Sequence, residues 1–348
     1  MNITEINING NNVKLLEYVP ECYCYISGIT NNLLGKLRIG IETWVTKDLF
    51  EKMDVSIWIY DNIKVNAFAK YYEGKNYIAL SVGLCQKFWE AATGFIDHEN
   101  LENVFRISDK NKEDYIQAIY MYMLNFIIAH EFGHIVHGHL LINSDDGFID
   151  EIRDEKELMK NAHKWNTQIL EYDADSFAAG INTTIFLGGW VNDIKILLAN
   201  FDMLFLSFYL SFSVLAEESN KDFSCYFEND ITEYDHPHPG IRMFYCTIVM
   251  IDWIISNKGV NEITMSIIES GYHAIISFEK SVLKKKKIKM CYFSVSETEK
   301  GVQHIMNLVN GWNDMVDMYN KYSYIPIRKT DMLDCMSYFI DENGEFIQ

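Results

Sequence analysis

The chain has 348 residues, long enough for one large domain or two modest ones with a sizeable core. Apolar residues make up 49% and aromatic ones 14%, which excludes a disordered or low-complexity protein. A formal charge of −19 argues against a nucleic-acid binder, whose affinity would come from neutralising phosphates.

The amino terminus, MNITEINING, has neither a charged start nor an apolar stretch behind it, so no signal peptide is expected. Cys22 and Cys24 alternate within ECYCYIS and are expected on one face of a strand. Seven cysteines without a CxxC pair fit a reducing, cytoplasmic setting. Cys22, Cys85, Cys225, Cys246, Cys291 and Cys335 are expected mostly as small buried apolar residues.

Three strand-like runs follow, DVSIWIY (54–60), KVNAFAKYY (64–72) and NYIALSVG (76–83). Polar turns at Asp61–Asn62 and Glu73–Gly74–Lys75 predict an antiparallel meander, with a short helix from Leu84. Helical signals then dominate from about 111 to 140, with Ser108 and Asp109 as caps. A second long helix is predicted over 154–181, where Leu158, Trp165, Ile169, Tyr172 and Phe177 lie mainly three or four apart. More helix runs to Ser256 and resumes after SNKGVNE. The basic run Lys284 to Lys287 with Lys289 reads as a solvated face beside a strand over 288–295. A helix from about Thr298 to Tyr319 and a hairpin around Asn343–Gly344 complete the chain.

Two apolar stretches, 115–129 and 203–216, are shorter than the roughly 20 residues of a spanning helix and are read as buried core helices, so no membrane span is expected. No Pro/Gly/Ser-rich linker or repeat divides the chain. The expectation is therefore a single α+β domain, mostly helical, with a small antiparallel sheet ahead of the helix that carries the chemistry. The motif-bearing core spans about 50–256, and the stretches 1–49 and 257–348 carry no legible function.

That chemistry sits in MLNFIIAHEFGHIVHGHL (123–140). Residues four apart on a helix share a face, so His130 and His134 can both bind one metal ion. Glu131, beside the first ligand, can take a proton from water that the metal activates. This HExxH spacing arises by chance in about one chain in fifty to a hundred of such length, so it needs company. The longer pattern HExxHxxGxxH fails, because His137 and Leu140 occupy its last two positions. Gly133 removes a side chain where the helix must pack closely.

A zinc hydrolase takes a third protein ligand and leaves one position for water. ILEYDADSFAAG (169–180) offers Glu171 and Asp175 on one helical face. Glu171 can ligate while Asp175 holds the far nitrogen of a ligand imidazole. Such an acidic pair usually marks a solvated face, but Ala174, Phe177, Ala178 and Ala179 around it suit a helix packed tightly against another.

Four blocks together resemble the gluzincin zinc metallopeptidases of the HtpX and CAAX-prenyl-endopeptidase family. They are VNAFAKYYEGKNYIALSVGL (65–84), HEFGHIVHGH (130–139), Glu171-x-x-x-Asp175, and HPHPGIR (236–242). They span about 180 residues, roughly half the chain. The resemblance implies a zincin-like fold in which His130, His134 and Glu171 bind one zinc ion and Glu131 is the general base. It also implies that His236, with Arg242 nearby, stabilises the oxyanion of the tetrahedral intermediate, as a preplaced donor would; His238 competes for that role. A protein or peptide substrate would lie extended along the edge strand built from Asn66, Ala67, Tyr77, Ile78, Ala79 and Leu80. Many family members carry flanking membrane helices, which this chain is not expected to have, and the gap between His134 and Glu171 is short, so a soluble, cytoplasmic relative is expected, with the Lit-type phage-exclusion peptidases as possible nearer kin. The rival readings are a non-catalytic metal scaffold or sensor with His137 or His139 as fourth ligand, and a helical protein with accidental histidines.

Overall fold

A computed structural model describes residues 3–8, 11–96, 111–142, 148–150, 161–218, 236–286, 296 and 298–330. The chain opens with two antiparallel strands, β1 (Ile3–Ile8) and β2 (Asn11–Leu16), with Ile3 opposite Leu16. Pro20 precedes a single 3₁₀ turn and then helix α1 (Cys24–Gly40). The expected strand at ECYCYIS is therefore a helix start. The local alternation is overridden by a helical stripe, Ile26, Thr30, Leu33, Leu34 and Leu37, that is buried along one face. Cys22 and Cys24 are exposed, whereas Cys85 and Cys246 are buried; Cys225, Cys291 and Cys335 lie outside the described residues.

Helix α2 (Lys47–Met53) leads into β3 (Val55–Tyr60), β4 (Ala67–Tyr72) and β5 (Lys75–Ser81). The three strands stand where the sequence puts them, but they are not a meander. Strand β5 lies between the other two, parallel to β3 and antiparallel to β4. The connection through residues 61–66 crosses the end of β5, tied down by Ser81 N–H to the Asn66 carbonyl (2.9 Å) and Gly83 N–H to the Asn62 carbonyl (2.8 Å). With β6 (Phe148–Asp150) added outside β4, the sheet has six strands in the order β1-β2-β3-β5-β4-β6.

Side chains alternate across this sheet. Ile57, Ile59, Ala67, Ala69, Ile78 and Leu80 face the main core, while Tyr60, Phe68, Tyr77 and Ala79 join Ile6, Ile8 and Leu15 in a second cluster. The sheet thus presents one face to the helices and covers the other with its own amino-terminal hairpin.

The helices are α3 (Val82–Ile96), α4 (Lys112–Val136), α5 (His139–Ile142), α6 (Asn161–Gly188), α7 (Ile194–Glu218), α8 (Pro239–Lys258), α9 (Glu262–Lys286) and α10 (Glu299–Tyr319). Helix α4 is the centre. Every residue from Met123 to Val136 is buried, because α3, α6, α7 and strands β4 and β5 surround it. A helix covered on all sides has no polar face to display, so each polar side chain on this stretch needs partners inside the protein.

Helix α7 is longer than the apolar stretch that marks it. It and α8 are both long and apolar enough to cross a membrane by length and composition, with mean hydropathy 1.5 and 1.2. In the fold 78% and 67% of those stretches are buried against the rest of the chain. The expected caps Ser108 and Asp109, the start of the helix predicted from 154, the strand over 288–295 and the terminal hairpin lie outside the described residues.

Candidate metal centre

His130 and His134 stand one turn apart on α4, with Nε2 atoms 3.1 Å from each other. Glu171 reaches them from α6: Oε2 is 3.3 Å from His130 Nε2 and Oε1 is 3.5 Å from His134 Nε2. Zinc bonds of about 2.0–2.2 Å in a tetrahedral site set neighbouring donors roughly 3.3–3.5 Å apart. The three groups can therefore hold one metal ion with little movement.

The helices come this close because Gly133 faces α6. A Cβ there would stand 3.2 Å from Ala174 Cα and 3.3 Å from Phe177 Cδ1, tighter than ordinary contact. Gly133 and Ala174 are the small residues that bring the donors together, as the sequence suggested.

The protons also fit a cation. His130 Nδ1 lies 2.9 Å from Asp175 Oδ1, so Nδ1 carries the proton and Nε2 presents a lone pair. Among the described residues, neither oxygen of the buried Glu171 accepts a hydrogen bond. The Glu171 carboxylate and the His130 Nε2 lone pair thus face one another in the buried seam, an arrangement that a positive charge between them would stabilise.

Asp175 is held in turn. Arg242, from the first turns of α8, donates through Nε to Oδ2 (2.8 Å) and through Nη2 to Oδ1 (2.9 Å). The Tyr245 hydroxyl donates to Oδ2 as well. Burial pushes the Asp175 carboxyl upward, but the Arg242 charge and the His130 hydrogen bond outweigh it and keep the group below the usual carboxylate range. Burial, with the neighbouring His130 and His139, holds His134 well below the ordinary imidazole value, so it stays neutral and able to ligate.

Arg242 thus grips Asp175 first, and its Nη2 is 3.7 Å from Glu171 Oε2. His236 Nε2 is 3.5 Å from the same oxygen. His238 is placed elsewhere: it caps α8, its Nδ1 accepting from Gly240 N–H at 3.0 Å, which separates it from His236. Glu131 is buried at 1% exposure beside His130.

His137 and His139 do not join these donors. They converge with Asp173 in a second buried group. His137 Nδ1 is hydrogen-bonded to Asp173 Oδ2, and His139 Nε2 is 3.1 Å from that oxygen. Burial raises the Asp173 carboxyl, but the two imidazoles bring it down to about 2. Sequence reasoning missed Asp173 and Tyr245; Tyr245 was signalled only by lying three residues beyond Arg242 on one helical face.

The edge-strand assignment does not survive. Tyr77, Ile78, Ala79 and Leu80 lie on β5, bonded to β3 on one side and β4 on the other. Ala67 pairs with Leu80, and β4 is covered by β6 from Phe68 to Lys70. Asn66 precedes β4 and bonds Ser81 through both its N–H and its carbonyl. A strand that crosses between its neighbours has no unpaired edge for a substrate.

Compared with protein families, curated proteins and solved structures, the chain has no match in any of the three.

Proposed function

We propose that this protein is a zinc-dependent metalloendopeptidase. The observation that carries the reading is the convergence of His130, His134 and Glu171 at 3.1–3.5 Å with Glu131 in the HExxH position. A zinc ion held by these donors would supply a Lewis acid that polarises a peptide carbonyl and acidifies water toward a pKa of about 7.

The chain's own residues do the rest. Glu131 takes a proton from the attacking water and passes it to the leaving amine. His236, beside Glu171 and next to the amino-terminal end of α8, donates toward the carbonyl oxygen as charge develops there. Asp175 fixes the His130 tautomer, and Arg242 and Tyr245 hold Asp175. The substrate class is a protein or peptide segment in extended form, and the compartment is the cytoplasm, where the buried Cys85 and Cys246 stay thiols.

The complete burial of the donors supports a second reading, a metal-holding scaffold without catalysis. Metal analysis of the purified protein and cleavage of a mixed peptide library by wild type and Glu131→Gln decide between them. Metal with Glu131-dependent cleavage supports the peptidase; metal with no cleavage supports the scaffold; no metal ends both.

A further inference from the structure

Two groups of metal-binding character lie one behind the other in the seam between α4 and α6, and a hydrogen bond joins them. His134 Nδ1 is 2.9 Å from His139 Nδ1. Only one of these two nitrogens can carry the shared proton. Where that proton sits decides what both groups can do.

Suppose His134 ligates a metal through Nε2. Its proton is then on Nδ1, His139 receives it on an unprotonated Nδ1, and the His139 proton is on Nε2. That nitrogen is 3.1 Å from Asp173 Oδ2, an ion-pair distance without hydrogen-bond alignment, and the adjacent carboxylate favours a proton there. In the opposite case a cation takes His139 Nε2. The His139 proton moves to Nδ1, His134 must accept it there, and the His134 proton moves to Nε2, where it blocks ligation beside His130. With neutral imidazoles the two groups cannot both be filled.

The backbone fixes the contact between the two imidazoles. His137 closes α4, and Gly138, at φ +73°, reverses the chain so that His139 folds back beneath His134. A side chain at Gly138 would strike the carbonyl of Tyr322, 2.4 Å from its Cβ, so the turn is fixed from outside as well. His137 Nδ1 bonds the same Asp173 oxygen. The pattern mirrors the first ligand: His130 leans on Asp175 directly, and His134 leans on Asp173 through one further imidazole.

We propose that Asp173 and His139 are positioning residues forming a carboxylate–imidazole relay that turns the His134 Nε2 lone pair toward the metal, and that His137, His139 and Asp173 are not a second cation site. The proposal rests on the reading of His130, His134 and Glu171 as metal ligands. It goes beyond that reading by assigning the role of the second group and the stoichiometry.

The experiment loads the full-length protein with zinc, measures metal per chain, and measures affinity by competition with a chromogenic chelator. Wild type, His139→Asn, His139→Leu and Asp173→Asn are compared. An Asn carbonyl oxygen stands about where Nδ1 stood and accepts the same proton. The expected result is one zinc per chain, an affinity loss of roughly 10- to 100-fold in His139→Leu, and recovery to within a few-fold of wild type in His139→Asn. Asp173→Asn, which keeps the shape, weakens binding in the same direction and carries the test if His139→Leu does not fold. Two zinc ions per chain, or unchanged affinity in both His139→Leu and Asp173→Asn, or equal loss in the Asn and Leu variants of His139, overturns the relay while leaving the first site standing. A wild type that binds no zinc overturns the metal reading itself and the relay with it.

Discussion

Arg242 meets Asp175 through two nitrogens, at 2.8 Å to Oδ2 and at 2.9 Å to Oδ1, the oxygen that His130 Nδ1 also bonds. The ion pair is buried on all sides, with Arg242 at 3% exposure and its guanidinium over the Phe212 ring at 4.9 Å. Removing one partner of such a pair leaves an uncompensated charge. Arg242→Ala is therefore expected to lose about 3–5 kcal/mol of stability, read as a lowered urea midpoint. Asp175→Asn keeps the shape but weakens the hold on His130, and metal affinity falls roughly 10- to 100-fold. An Asp175→Asn protein with native metal affinity would remove Asp175 from the site.

Glu131→Gln separates ligation from proton transfer. Glutamine has nearly the same volume and cannot accept the water's proton, so metal content stays at the wild-type level while cleavage falls by roughly 10²–10⁴ or more. Metal analysis and a peptide-cleavage assay on one preparation check both halves. Lost metal in this variant would place Glu131 among the ligands, contrary to the reading of HExxH.

What could be read in advance was local. One-turn spacing put His130 beside His134, and the same spacing put Glu171 above Asp175 amid small residues, so the facing surfaces of two helices were legible without knowing how they met. The sheet was different. Period-two alternation located β3, β4 and β5 but says nothing of their order, which the 61–66 crossing decides through Asn62, Asn66 and Ser81. Asp173 was hidden by its offset of two from Glu171, which on an isolated helix puts it on the opposite side. It enters the site through His137, at the end of α4, and through His139, placed by the Gly138 turn. The family resemblance rests on the four sequence blocks alone.

Gly133 offers a test of the helix seam. On an isolated helix, Gly133→Ala gains up to about 1 kcal/mol. Here the new Cβ meets Ala174 Cα at 3.2 Å and the Phe177 ring at 3.3 Å, and overpacking costs about 1–3 kcal/mol. Net destabilisation of up to roughly 2 kcal/mol is expected, with weaker metal binding as Glu171 moves off the imidazoles. Urea unfolding with a zinc titration checks this; a more stable Ala variant with native affinity would mean that the helices do not need the glycine.

Acid sensitivity follows from buried imidazoles. Burial holds His304, on α10, down to about 4 from an ordinary 6.5, and burial likewise lowers His134 and His139. The folded chain favours the neutral rings, so between the two values the unfolded chain binds more protons. Stability is complete above pH 6.5 and is lost as the pH falls toward 4. For His304 alone the difference is worth roughly 3 kcal/mol. His304 stands apart from the metal ligands in sequence and element, so His304→Leu isolates its share. Unfolding of metal-free protein at pH 7, 5.5 and 4 is expected to show a steep decline in wild type and a shallower one in His304→Leu. Parallel declines in the two proteins would show that the ring at 304 is not held neutral by burial.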